Sequence, residues 1–261
     1  MKNIIKALNY QTRRDYIVIL LLLSGLVQPV VSLCQMILNE ENMSAGMFFG
    51  QSAEAYFFMT IIIFVIIVPR ICGWDAADKT INYEIMAGHS RSEVYFGRVI
   101  VSLAWSLTEA VAMLVLPLLA VSVFFGWGKN MNAADAAIRC ILVIFPLFRF
   151  ACEFILLTFL LKNCYMAMIV GWLLFDAAEI ANMCYQEFTG KALTFQFAFS
   201  NLLQVLDFGN YKFEYIGGKD IPVFVTTVSP SMAAGIVCSS LLVGIVCIAI
   251  GHVVFCRQDM G

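Results

Sequence analysis

Apolar residues in this chain gather into six long runs, at about 17–38, 55–71, 99–125, 138–161, 164–184 and 232–255. Most reach the roughly 20 residues that a helix needs to cross a bilayer. The pattern predicts an all-α integral membrane protein with six transmembrane helices. Gln28-Pro29 and Pro117 are expected to interrupt the first and third of them. Ahead of the first run, in residues 1–16, Ile4, Ile5 and Leu8 share one helical face, with Lys2, Lys6, Arg13 and Arg14 around it. That suits an interfacial helix on an anionic leaflet, and it suits equally a basic flank that only sets orientation. The longest polar segment, 185–229, contains an apolar stretch from Thr194 to Phe208 that is too short to span. A re-entrant or surface helix is expected there, with Gly209, Gly217 and Gly218 breaking the chain before the last span.

The interval around 72–98 has the most readable local code. Asp75 is expected to cap a short helix from about Ala76 to Ala87, with Asp78 in its first turn. Ile81, Ile85 and Met86 recur at helical spacing, while Lys79, Asn82 and Glu84 point elsewhere. Gly88 is a C-terminal stop, because glycine takes the left-handed conformation without steric cost. Ser90-Arg91-Ser92-Glu93 has the form of a capping box that restarts the chain into the third span.

Composition agrees with a membrane solvent. Of the 261 residues 61% are hydrophobic and 13% charged, and the mean hydropathy is +0.86, far from a soluble domain. A net charge of −2 argues against a nucleic-acid partner. The nine cysteines fall in apolar runs or at their ends, with no CxxC pair, and read as small hydrophobes. The first run is too long for a cleaved signal, and no small-x-small site follows it. Basic residues set the topology. Lys2, Lys6, Arg13, Arg14, Arg70, Lys79, Arg91, Arg98, Lys162 and Arg257 fall on one side if the N-terminus is inside, so both ends are expected in the cytoplasm.

Five ionisable residues fall inside the expected spans: Glu109, Arg149, Glu153, Asp176 and Glu179. Each costs on the order of 3 kcal/mol at the bilayer centre unless partnered or wet. Arg149 and Glu153 are four apart and can pair on one helix. Together the five are either a charge cluster holding spans together or part of a substrate or ion path. An intramembrane protease is disfavoured, since the only histidines are His89 and His252, neither at membrane depth.

The loop residues carry a resemblance. Asp75, Lys79-Thr80-Ile81, Asn82-Tyr83-Glu84, Gly88, Ser90-Arg91 and Arg98 resemble the segment between spans two and three in membrane subunits of type-2 ABC exporters, including half-size permeases for antimicrobial peptides. The resemblance implies that Asp75, Asp78, Lys79, Thr80, Ile81, Glu84, Ile85, Gly88, Ser90 and Arg91 form a coupling helix docked on an ATPase. It further implies a homodimer or heterodimer of permeases in the bacterial cell membrane, exporting a peptide, lipid-like or drug-like substrate. No GxxxxGK[ST] occurs, since Gly190-Lys191 is followed by Ala192. This chain is therefore expected to bind no cofactor, with ATP and Mg on a separate subunit. The alternative is an ion-coupled carrier or channel working through Arg149, Glu153 and Asp176.

Overall fold

The computed structural model describes residues 1–38, 44–77, 81–191, 198–206, 211–216, 219–224 and 227–257. The elements run α1 (Lys2–Arg14), α2 (Tyr16–Leu38), α3 (Ala45–Ala77), α4 (Ile81–Met86), α5 (Arg91–Phe125), α6 (Ala133–Leu142) and α7 (Ile144–Leu161). They continue with α8 (Cys164–Thr189), α9 (Ala198–Leu206), β1 (Tyr211–Ile216), β2 (Lys219–Phe224) and α10 (Pro230–Arg257).

Five helical stretches are long and apolar enough to cross a membrane: Tyr16–Gln35, Arg91–Phe125, Ala133–Leu161, Cys164–Thr189 and Pro230–Arg257. The remaining expected span lies in α3, whose apolar stretch Met59–Gly73 is shorter. What faces outward supports a lipid solvent. On α10 the small residues Ser240, Gly244, Cys247 and Gly251 are buried, while Leu242, Ile245 and Val253 are exposed. Exposed leucine and isoleucine over such a length is a penalty in water and neutral in lipid. The small residues let partners close in. A Cβ at Gly244 would lie 2.6 Å from the Phe148 ring, and one at Gly251 would lie 2.6 Å from the Tyr95 hydroxyl. This is a multi-pass membrane protein built around α3, α5, α7 and α10.

Several boundaries differ from the sequence reading. α3 starts at Ala45, inside what reads as an outer loop, because that loop region supplies its caps. The amides of Ala45 and Gly46 donate to the carbonyls of Gly126 and Trp127 (2.9 and 3.0 Å), and those of Met47 and Phe48 to Ser44. The first two amides are thus satisfied by tertiary contact and the next two by the adjacent Ser44 cap. Pro29 and Pro117 lie inside continuous helices rather than interrupting them. The break falls instead at Val143, near the start of the fourth expected span, where Pro146 has no amide to offer the carbonyl of Leu142. The described residues are mostly helical, as an all-α membrane protein requires; the unexpected element is a single antiparallel hairpin in the segment 185–229, β1 with β2, in register Ile216↔Lys219 to Tyr211↔Phe224.

The N-terminal helix forms as expected, with a different use for its apolar face. Ile4 and Leu8 are buried, with Ile4 packed over Gly97 of α5, and the Trp105 indole donates to Asn9 (2.9 Å). Lys2, Lys6, Arg13 and Arg14 stay exposed. The short apolar helix of the outer segment also forms, as α9, and packs against α3, α6, α7 and α8. The Lys162-Asn163 turn is tight, with Lys162 left-handed and Asn163 capping α8 through the amides of Tyr165 and Met166.

Candidate functional site

The turn from α3 through α4 into α5 is the best-defined polar construction at the end of the bundle that holds α1. α4 ends in a Schellman arrangement: His89 N–H donates to the Glu84 carbonyl (3.3 Å) and Gly88 N–H to that of Ile85 (3.0 Å). Gly88 sits at φ +93°, the left-handed region. Two residues on, the capping box is complete. The Ser90 side chain accepts from Glu93 N–H, and Ser90 N–H donates to Glu93 Oε2, both at 3.2 Å. Stop and restart thus lie within a few residues, which reverses the chain sharply.

Ties radiate from this turn. Arg98 is fully buried on α5, and its Nη2 donates to Glu84 Oε1 at 2.9 Å, pinning α4 to α5. Arg91 Nη1 donates to the Cys256 carbonyl (2.8 Å), joining the start of α5 to the end of α10. One turn along, Ser92 Oγ lies 2.9 Å from His252 Nε2, which stacks on Phe96. Tyr95 reaches the Ile248 carbonyl (2.8 Å) and packs on Phe159 and Phe255. The Met1 amine meets Glu93, and Asp15 pairs with Arg70 of α3, where Arg70 Nη2 donates at 3.1 Å.

The expected coupling residues divide. Gly88, Ser90 and Arg91 hold the geometry just described, and Glu84 is an internal ion-pair partner. Asp78, Lys79 and Thr80 lie outside the described residues. Asp75 is within α3, not at a helix start, because α3 runs on to Ala77 and Gly73 does not stop it. Gly73 is instead a packing contact, since a Cβ there would lie 2.4 Å from Thr158 Cγ2. The helix read as Ala76–Ala87 is therefore the six-residue α4. Its Ile81–Ile85 face is the inward one: Ile81 is 4% exposed, and Ile85 packs on the core. Tyr83 and Met86 face out, at 68% and 79% exposure.

The charged residues of the spans do not form one cluster. Arg149 and Glu153 pair as expected, Nε to Oε1 at 2.9 Å, with Arg149 buried and Glu153 one-third exposed. They line an open cleft of about 320 Å³ between α7 and α8, with Phe150, Phe154, Gly171 and Phe175. Asp176 and Glu179, three apart on α8, are both partly exposed and do not line that cleft. Glu109 stands apart on α5, buried, with no hydrogen-bond partner for either oxygen among the described residues.

Sequence reasoning missed two buried cations' roles. Arg98 was one basic residue of a loose motif, and nothing in its spacing from Glu84 signals a pair. Arg139 on α6 is buried, and its Nη1 donates to the carbonyls of Gln204 and Val205 (3.3 and 2.7 Å), capping the C-terminal end of α9. Only its place in an Ala-rich polar edge marks it. The chain matches no known protein-family description, and no curated protein matches it.

Proposed function

We propose that this chain is the membrane-spanning subunit of an ATP-driven exporter of the type-2 ABC class, energised by a separate ATPase. The observation that supports it most is α4, a short rigid crosspiece between two long helices, with its aromatic and thioether side chains turned outward. Its other face is pinned by the Glu84–Arg98 pair. A partner that gripped Tyr83 and Met86 could shift α4, and Arg98 would carry the movement into α5. Arg91 would carry it on to α10. The given sequence has no GxxxxGK[ST], which supports a reading in which a separate subunit hydrolyses ATP. In this reading the N-terminal side of the bundle faces the cytoplasm of a bacterial cell, two membrane chains enclose the path, and the cargo is peptide-like, lipid-like or drug-like.

A second reading has one observation in its favour. The cleft beside Arg149 and Glu153 puts an ion pair next to open space inside a spanning region, as an ion-coupled carrier would need. The two are separated by purifying the chain in mild detergent with its neighbours. An ABC-type ATPase in equal numbers, released by Tyr83→Glu with Met86→Glu, supports the exporter. A pure membrane assembly that moves ions or solutes under a gradient alone supports the carrier.

A further inference from the structure

α5 carries a buried polar stripe. Arg98, Ser102, Ser106 and Glu109 are spaced four, four and three residues apart, so they share one face, and all are nearly or fully buried. The stripe begins at the Glu84–Arg98 pair and ends at Glu109. By helical rise Glu109 lies ~27 Å from the start of α5 and ~24 Å from its end. It therefore lies near the middle of α5, inside the span expected at 99–125. One turn to one side Trp105 meets Asn9 of α1, and one turn to the other Met113 crowds Gly25 of α2, which Ile63 of α3 also approaches.

Among the described side chains, several charged groups on the packed elements are engaged elsewhere. Asp15 and Arg70 bind each other across α3 and the start of α2, and Arg149 binds Glu153 on α7. Glu84 of α4 holds Arg98, Arg139 of α6 caps α9, and His252 of α10 meets Ser92. On α1, Lys6, Arg13 and Arg14 are exposed. Both Glu109 oxygens are buried without a partner among the described residues, and the side chain is 2% exposed. A bare carboxylate in that setting is strongly disfavoured, whereas the neutral acid is tolerated. We infer that Glu109 is an intramembrane proton-binding site, occupied while α2, α3 and α5 are packed together and discharged when their separation admits water. Release leaves the carboxylate, and the proton passes to the entering water. The inference does not rest on the exporter reading and holds for either energy source.

The test uses the full chain reconstituted in lipid at neutral pH. Infrared spectroscopy should show the carbonyl band of a protonated carboxylic acid, shifted in deuterium oxide and absent from Glu109→Gln, which mimics the neutral acid's shape. Dicyclohexylcarbodiimide reacts with protonated, lipid-buried carboxyls. Peptide mapping should find its adduct on Glu109 many-fold more than on the exposed Glu187. Should the glutamine variant not fold, loss of the band from the wild-type protein after carbodiimide treatment replaces it. An absent acid band at neutral pH overturns the inference. So does protection of Glu109 by sodium ions, which would make it a metal-cation site.

Discussion

At the residue scale the Arg149–Glu153 pair makes the sharpest claim. Arg149 is buried, so Arg149→Ala leaves Glu153 with one side in the protein and the other at the cleft. Removing one partner of a buried pair costs about 3–5 kcal/mol, and the partial exposure of Glu153 puts this case at the low end. Folded yield in detergent should fall for Arg149→Ala and recover in the double change to leucine. A double variant that folds well yet abolishes transport would show that the pair works on cargo or ions. At Gly88 the backbone itself is the constraint. Gly88→Val forces a β-branched residue to φ +93°, at a cost of about 1–2 kcal/mol, although no atom lies within 4 Å to clash. Thermal unfolding should show a modest loss, while Gly88→Asn, which tolerates that region, should lose less.

At the element scale α4 divides into two faces with opposite expected phenotypes. Ile81→Glu buries a charge against the chain's own core and should lower folded yield. Tyr83→Glu with Met86→Glu should leave folding unchanged and weaken ATPase association, read by co-purification and size-exclusion chromatography. Ile81, Ile85 and Met86 recur at helical spacing, but periodicity identifies an apolar stripe and not which body covers it: the core covers Ile81 and Ile85 and leaves Met86 exposed. Several local devices were legible: the Gly88 stop, the Ser90–Glu93 capping box and the Lys162-Asn163 turn are each written within a few residues, whereas the expected Asp75 cap falls inside α3. The hairpin was also writable, since Lys212-Phe213-Glu214-Tyr215 alternates ahead of a Gly-Gly pair. Its apolar, turn-rich surroundings read as broken chain instead. What needed the assembled molecule was long-range capping. The start of α3 is fixed by carbonyls some eighty residues away, and the end of α9 by Arg139. Arg139→Leu should loosen α9, seen as faster hydrogen exchange at residues 198–206 with little change elsewhere.

At the scale of the whole molecule, the multi-pass helical character and the places of five long apolar helices followed from hydropathy, and the connections between their ends did not. Ties from α4 to α5 and from α5 to α10 make the α1 end of the bundle a single mechanical unit. The opposite end is clasped differently, through Ser44, Asn130 and Phe224, where the Ser44 hydroxyl donates to Asn130 Oδ1 (2.8 Å) and Phe224 N–H to the Asn130 carbonyl (2.8 Å). Such an arrangement suits drive applied at one end and a response along the helices, which is the central claim. The most direct measurement reconstitutes the chain with the ATPase it co-purifies with and follows ATP hydrolysis as Tyr83 and Met86 are changed to glutamate. The account predicts a complex with equal numbers of membrane and ATPase chains, lost together with stimulated hydrolysis in the double variant. A chain that stays assembled without any ATPase and transports under an ion gradient alone, with Tyr83 and Met86 immaterial, would contradict it.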